Sequence, residues 1–294
     1  MNKALIIKII SSEYTILLED RSIQKAILAG KMRLDKHPVV GDYVEYIISD
    51  NKYVIQSILE RRNYLIRPNL ANIDNAIIMM STKDPSFSYE LVNRLIMLIE
   101  YADIRPIICI SKADLGDNQE IEEIKTYYET MNYDVIISDI SNDFRNLEGI
   151  LEDKITVLCG QSGVGKSSLL NKLQPELNLK TNEISRALNR GKHTTRHVEL
   201  FEIYGGYIAD TPGFSSLDLT QVDKDLLASK ISVFKPYIGE CRFNNCMHIN
   251  EPDCKVKEAV DKGKIKQSFH KTYKDIIEFI ISENLKGNRH RTLK

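Results

Sequence analysis

The sequence predicts a multidomain chain: a small N-terminal β-barrel or sandwich, a central α/β domain built around a phosphate loop, and a mostly helical C-terminal domain. Three observations carry this. Short β-rich runs fill Ala4 to Ser57, apolar runs then alternate with helical stretches, and from Val222 onward the strand signal gives way to helical patterns around a Cys/His-rich loop. With 294 residues, 43% hydrophobic and 28% charged, the chain has the material for several cores and the composition of soluble domains rather than of a disordered chain.

The first run, ALIIKII, is interrupted by Lys8 and lacks a small-residue cleavage site, so it reads as a strand and not as a targeting segment. EYTILLE, KAILAG and DYVEYIIS follow, separated by polar or Gly/Pro breaks such as HPVVGD. The segment RRNYLIRPN (Arg61 to Asn69) reads as a linker because Pro68 stops any regular element, which sets the first domain at 1–65. Beyond it, NAIIMM, PIICI, DVIIS and ITVLCG are short apolar runs of the kind found in parallel strands covered on both faces. Helical stretches such as YELVNRLIMLIEYA lie between them, so 66–220 is expected to be a doubly wound sheet. VELFEIY and GYIAD, joined at Gly205 and Gly206, read as a hairpin, and 221–294 as the helical domain.

The net charge of −1 is unevenly spread: +2 over 1–65, −9 over 66–254 and +6 over 255–294. Any nucleic-acid contact is therefore expected from the flanks, through phosphate neutralisation. No apolar stretch approaches the roughly 20 residues needed to span a bilayer, so no membrane partner is expected.

GQSGVGKSS (Gly160 to Ser168) follows an apolar strand run and precedes the helical SSLLNKL, meeting both the spacing and the context of G-x-x-x-x-G-K-[ST]. Gly160, Gly163 and Gly165 let the backbone turn tightly, so that the N–H groups of Gln161, Ser162, Val164 and their neighbours can face phosphate oxygens. Lys166 supplies charge to the β- and γ-phosphates, and Ser167 offers Mg²⁺ a hydroxyl. SKAD (Ser111, Lys112, Ala113, Asp114) follows PIICI and resembles the N-K-x-D loop of G proteins, in which the Asp accepts from guanine N1 and N2. Adenine has no such donor pair, so Asp114 would select GTP and GDP. Ser111 stands where the motif has Asn, and SDIS (Ser138 to Ser141) is a candidate second base loop.

DTPGF matches the D-x-x-G switch: Asp210 would hold Mg²⁺ through water and the Gly213 N–H would meet the γ-phosphate. Upstream, RGKHTTRH places Thr194 and Thr195 where a magnesium-sensing Thr is expected. Phe214 occupies the position of the Gln that orients the attacking water in many GTPases, and His193 is the nearest residue with the chemistry to substitute for it. A small-metabolite kinase also has a P-loop, but it has no need of a switch such as DTPGF.

Cys241, Cys246, His248 and Cys254 form a Cys₃His set within CRFNNCMHINEPDC, the donor set of a closed structural Zn²⁺ site. Cys109 and Cys159 sit inside apolar runs, where a thiol packs as a small hydrophobe.

SKAD precedes GQSGVGKSS, and DTPGF comes last; in ordinary G proteins the phosphate loop comes first and the base loop last. The domain is therefore read as circularly permuted. In this order of motifs the whole chain resembles the ribosome small-subunit-dependent GTPase A family, bacterial factors with an OB-type β-barrel, a circularly permuted P-loop GTPase domain and a helical zinc-binding domain. That family also carries a hydrophobic residue at Phe214, a G-[RK]-H-T-T string matching Gly191 to Thr195, and a zinc signature that includes Glu251 and Pro252. The resemblance implies late maturation of the small ribosomal subunit, with the subunit and its rRNA as partners, subunit-stimulated GTP hydrolysis, one structural Zn²⁺, and Mg²⁺ with GTP. A cytoplasmic monomer is expected. The competing reading is a nucleotide-gated RNA-binding module in which hydrolysis is incidental.

Overall fold

The computed structural model describes residues 2–30, 37–65, 68–138, 145–174, 198–210, 219 and 222–291, with the backbone alone for 145–146, 210 and 284–291. These residues form two compact units, one drawn from 1–76 and 143–214 and the other from 77–142 and 215–294.

The first unit opens with the strands β1 (Asn2–Ile10), β2 (Glu13–Leu18), β3 (Ile23–Leu28), β4 (Tyr43–Ser49) and β5 (Lys52–Ile58). β1 pairs antiparallel with β2, β2 with β3 and β4 with β5; β3 pairs in parallel with β5, and β1 returns to pair with β4. This closes a five-stranded barrel. Alternate residues point inward and form its core: Ala4, Ile6, Tyr14, Ile16, Ala26, Val44, Tyr46 and Ile55. The expected runs account for four of these strands. KYVIQSI, the fifth, did not stand out because its inward positions alternate with Lys52, Gln56 and Ser57.

The expected linker, Arg61 to Asn69, carries β6 (Tyr64–Leu65), which pairs antiparallel with β7 (Leu70–Ala71) just beyond it. Two arginines tie it down. Arg61 donates from both sides of its fork to the fully buried Asp42, at 2.6 and 2.8 Å, and Arg62 pairs with Asp74 at 2.8 Å. Asp74 in turn exchanges hydrogen bonds with Ile155, accepting from its N–H at 2.9 Å. The rest of the unit is α3 (Arg145–Leu151), β11 (Ile155–Cys159), α4 (Lys166–Leu173), β12 (Glu199–Ile203) and β13 (Gly206–Asp210). β11 is parallel to β13, β12 and β13 form the expected hairpin, and β12 joins β1 at Glu199↔Lys8.

In the second unit β9 (Arg105–Ser111) lies between β8 (Asn75–Ser81) and β10 (Asp134–Ser138) and runs parallel to β10. Its helices are α1 (Tyr89–Tyr101), α2 (Asn118–Glu129), α5 (Lys224–Lys230), α6 (Lys255–Asp261) and α7 (Gln267–Arg291). Ser88 caps α1 by accepting from the Leu91 N–H, and Asp117 caps α2 by accepting from the Gln119 N–H. The apolar face of α1 packs against α5 and α7. Fully buried Phe234, Phe269 and Tyr273 fill the space behind, with Phe234 edge-on to Tyr273 at 5.0 Å. The carboxylate of Glu100, near the end of α1, accepts from the Ser232 N–H and hydroxyl and from the Tyr133 hydroxyl. Among the described residues no helix is long and apolar enough to cross a membrane.

Candidate nucleotide loops and metal centre

β11 is buried along its whole length and delivers the chain into Gly160–Gly165, the candidate phosphate loop. Gly160, Gly163 and Gly165 have φ of 135°, 87° and 97°, a region that favours glycine, so a residue carrying a Cβ would be strained on this path. Val164 is fully buried and pins the loop, while Ser162, Gly163 and Ser168 are exposed and Gln161 and Ser167 are half-buried. The Lys166 ammonium donates to the carbonyls of Gly160 and Gln161, at 2.8 and 2.7 Å, which folds its charge over the loop. Buried Leu169 and Leu170 anchor α4, which begins at Lys166, so the first N–H groups of the helix open toward the loop.

Ser111 ends β9 and is buried. Lys112 then adopts φ 53°, ψ 39°, and a single 3₁₀ turn, Ala113–Leu115, carries Asp114. The Lys112 ammonium donates to the carbonyls of Lys83 and Asp84. The Lys112 carbonyl accepts from the Leu115 N–H at 3.0 Å and from the Thr82 hydroxyl at 2.8 Å. Thr82 belongs to no recognised motif, and its contribution shows only once β8 and β9 are folded together.

Asp210 is the last residue of β13, opposite Glu199. The remaining switch residues, His193, Thr194, Thr195 and Gly213, lie outside the described residues, as do the positions of the candidate second base loop after Ser138. Burial pushes the Cys109 thiol up to about 12 and raises that of Cys159 further, the behaviour of inert packed thiols.

Cys241, Cys246, His248 and Cys254 bring one ligand atom each within 4.8 Å of one another. His248 Nδ1 lies 3.5 Å from Cys241 Sγ and 3.4 Å from Cys254 Sγ, and the two sulfurs are 3.9 Å apart. A tetrahedral zinc with bonds of about 2.3 Å to S and about 2.0 Å to N requires roughly 3.8 Å between sulfurs and roughly 3.5 Å from S to N. Cys241, His248 and Cys254 stand at this spacing with Cys246 close by, so the cluster is compatible with a structural Zn²⁺. Burial raises the thiols of Cys246, up to about 12, and Cys254. A divalent cation reverses this, because a coordinating thiol is deprotonated outright. Outer contacts hold the loop. The Glu251 carboxylate accepts from the N–H groups of Met247, Ile249 and Asn250, the His248 carbonyl meets His270 Nε2 at 2.6 Å, and Tyr273 donates to the Met247 carbonyl. Glu251 was visible in the motif, but His270 and Tyr273 come from α7 and carry no local signal.

Comparison with known proteins agrees with this organisation. The model of the RsgA GTPase family matches residues 58–220, and one described as 50S ribosome-binding GTPase matches 155–289. A curated relative from Bacillus subtilis (strain 168), named small ribosomal subunit biogenesis GTPase RsgA, is 44% identical over 292 residues, covering 95% of this chain and 97% of the relative. Among solved structures, YloQ, described as a circularly permuted GTPase, superposes with a TM-score of 0.82 at 36% identity and covers 96% of both chains. YjeQ from Thermotoga maritima gives 0.79 at 28% identity, covering 95% of this chain and 98% of its own. With a five-stranded barrel, a P-loop after a buried strand and a Cys₃His cluster in one chain, and with identity at this level over nearly all of it, the chain belongs to the RsgA GTPase family.

Proposed function

We propose that this GTPase acts in late maturation of the small ribosomal subunit, binding the subunit through its rRNA, hydrolysing GTP under subunit stimulation and leaving as the GDP form. The observation that carries the reading is the near-complete coverage of relatives named for small-subunit biogenesis. The matching 50S ribosome-binding family model spans 155–289 alone. That match takes in the second half of the GTPase domain and most of the C-terminal domain, whereas the full-length relatives also include the barrel.

In this reading Gly160–Ser168 holds the phosphates, with Lys166 on the β- and γ-phosphates and Ser167 on Mg²⁺. Ser111–Asp114 reads guanine. Thr194 or Thr195, Asp210 and Gly213 sense the γ-phosphate and its metal, and His193 orients the attacking water in place of the missing Gln. The Cys₃His cluster holds one structural Zn²⁺. The chain works as a cytoplasmic monomer of three domains, 1–65, 66–220 and 221–294, with the basic tail from Lys255 onward facing rRNA phosphates.

The test is cosedimentation of the full chain with purified small and large subunits at one ionic strength, with a non-hydrolysable GTP analogue and with GDP. Binding to the small subunit, stronger by about 5- to 150-fold in the GTP-analogue state, is expected. Binding to the large subunit alone, or equal binding with both nucleotides, overturns the proposal.

A further inference from the structure

The end of β8 supports the base loop in a way that no nucleotide-binding motif describes. Thr82 is buried, 6% exposed, and both of its donors are spent on that loop. Its N–H donates to the Ser111 carbonyl at 3.2 Å and its hydroxyl to the Lys112 carbonyl at 2.8 Å. Left-handed backbone is disfavoured for a side-chain-bearing residue such as Lys112 and persists where the surroundings over-determine it. Here the carbonyl that accepts from Thr82 also accepts from Leu115, so one oxygen fixes both the turn and the 3₁₀ segment carrying Asp114. From the other side, Gly116 lies flat against Thr82. A Cβ built on Gly116 would sit 2.8 Å from Thr82 Cβ and 2.9 Å from both Cγ2 and Oγ1.

We propose that Thr82 is a positioning residue for guanine selection, bracing the backbone of a base loop in which Ser111 has too short a side chain to bridge as an Asn amide does. The inference rests on the reading of Ser111–Asp114 as the guanine-reading loop. Thr82 touches no nucleotide in this account. It sets where Asp114 stands, and hence how well the loop distinguishes a base with a 2-amino group from one without.

The experiment measures the affinity of the full chain for GDP, IDP and XDP. Thr82→Val keeps the volume and removes the donor. It is expected to weaken GDP about three- to tenfold, the range for one lost intramolecular hydrogen bond, and to narrow the preference for GDP over IDP. Thr82→Ser restores the donor and is expected to stay within about twofold of the parent on both measures. Gly116→Ala pushes the loop off Thr82 from the opposite side and narrows the same preference, which supplies the test should Thr82→Val fail to fold. Asp114→Asn is the control for the underlying reading and is expected to exchange GDP preference for XDP. If Asp114→Asn leaves the preference unchanged, the base-loop reading falls and this inference with it. If Asp114→Asn behaves as expected but Thr82→Val, or Gly116→Ala in its place, keeps the GDP-over-IDP ratio, the inference alone is overturned. A Thr82→Ser variant as impaired as Thr82→Val overturns it too.

Discussion

Replacing Cys246 by Ser should melt the metal loop and leave the helices behind it standing. Between Cys241 and Cys254 only His248 and Cys254 are buried. Ordering backbone costs roughly 1–2 kcal/mol per residue, and so little burial cannot offset that along the loop. Bound zinc, at about 10–16 kcal/mol for structural sites, is large enough to do so, and three thiolates with one imidazole are its donors. The helices stand differently. Phe234, Phe269, Tyr273 and Ile277 are fully buried against α1 and its neighbours, each contributing about 1.5–3 kcal/mol through burial, and Glu100 ties Ser232 to α1. Hydrogen exchange with metal analysis reads both halves. The amides of Met247, Ile249 and Asn250, which donate to Glu251, should lose protection along with the zinc. Those of Phe269 to Ile280 should keep theirs. Loss of protection along α7 at the same time would refute the reasoning, because the metal would then be holding the whole helical layer. A parent chain without zinc and a loop protected as before would refute the metal itself.

Other perturbations separate the remaining parts of the account. Lys166→Ala should abolish GTP and GDP binding while zinc content stays at one ion per chain, because the ammonium folds over the phosphate loop and takes no part in the Cys₃His cluster; an intact GDP affinity contradicts the phosphate-loop assignment. Arg61→Ala leaves the fully buried Asp42 carboxylate with the Val39 N–H but without its cation, and should cost about 3–5 kcal/mol in urea unfolding at constant m-value; a loss below about 1 kcal/mol would place the pair among weak surface bridges. Burial raises the Glu100 carboxyl above its usual range, against the lowering effect of the Ser232 and Tyr133 donors. The folded state therefore holds that proton more tightly than the unfolded one. Its stabilising contribution is complete below the unfolded value near 4.5 and is lost as pH rises through the folded value. Glu100→Gln should accordingly flatten the fall of the unfolding midpoint with pH between the unfolded value near 4.5 and the raised folded value, and an unchanged slope there contradicts this.

The parts of the fold that were legible in the sequence are those with local causes. NAIIMM and ITVLC are largely apolar runs because β8 and β11 are buried on both faces, and barrel strands such as DYVEYIIS alternate in burial because one face looks inward. The candidate phosphate loop, Gly160–Gly165, stood out because its backbone favours glycine at three places. What escaped depends on distant partners. The return of β1 to β4 and the parallel pairing of β3 with β5 leave no local mark. Neither does the support that His270 and Tyr273 give the Cys₃His loop from α7, or Thr82 the candidate base loop from the end of β8. A carbonyl accepts from whichever donor the fold supplies, so such contacts have no residue spacing by which a motif could be recognised.

The central claim, a GTPase whose turnover is governed by the small ribosomal subunit, is tested most directly by steady-state GTP hydrolysis of the full chain alone, with purified small subunits and with purified large subunits. Slow intrinsic turnover is expected, because Phe214 occupies the position of the water-orienting Gln. Small subunits should accelerate it severalfold or more, and large subunits should not. Turnover that small subunits leave unchanged, or that large subunits alone accelerate, would contradict the account.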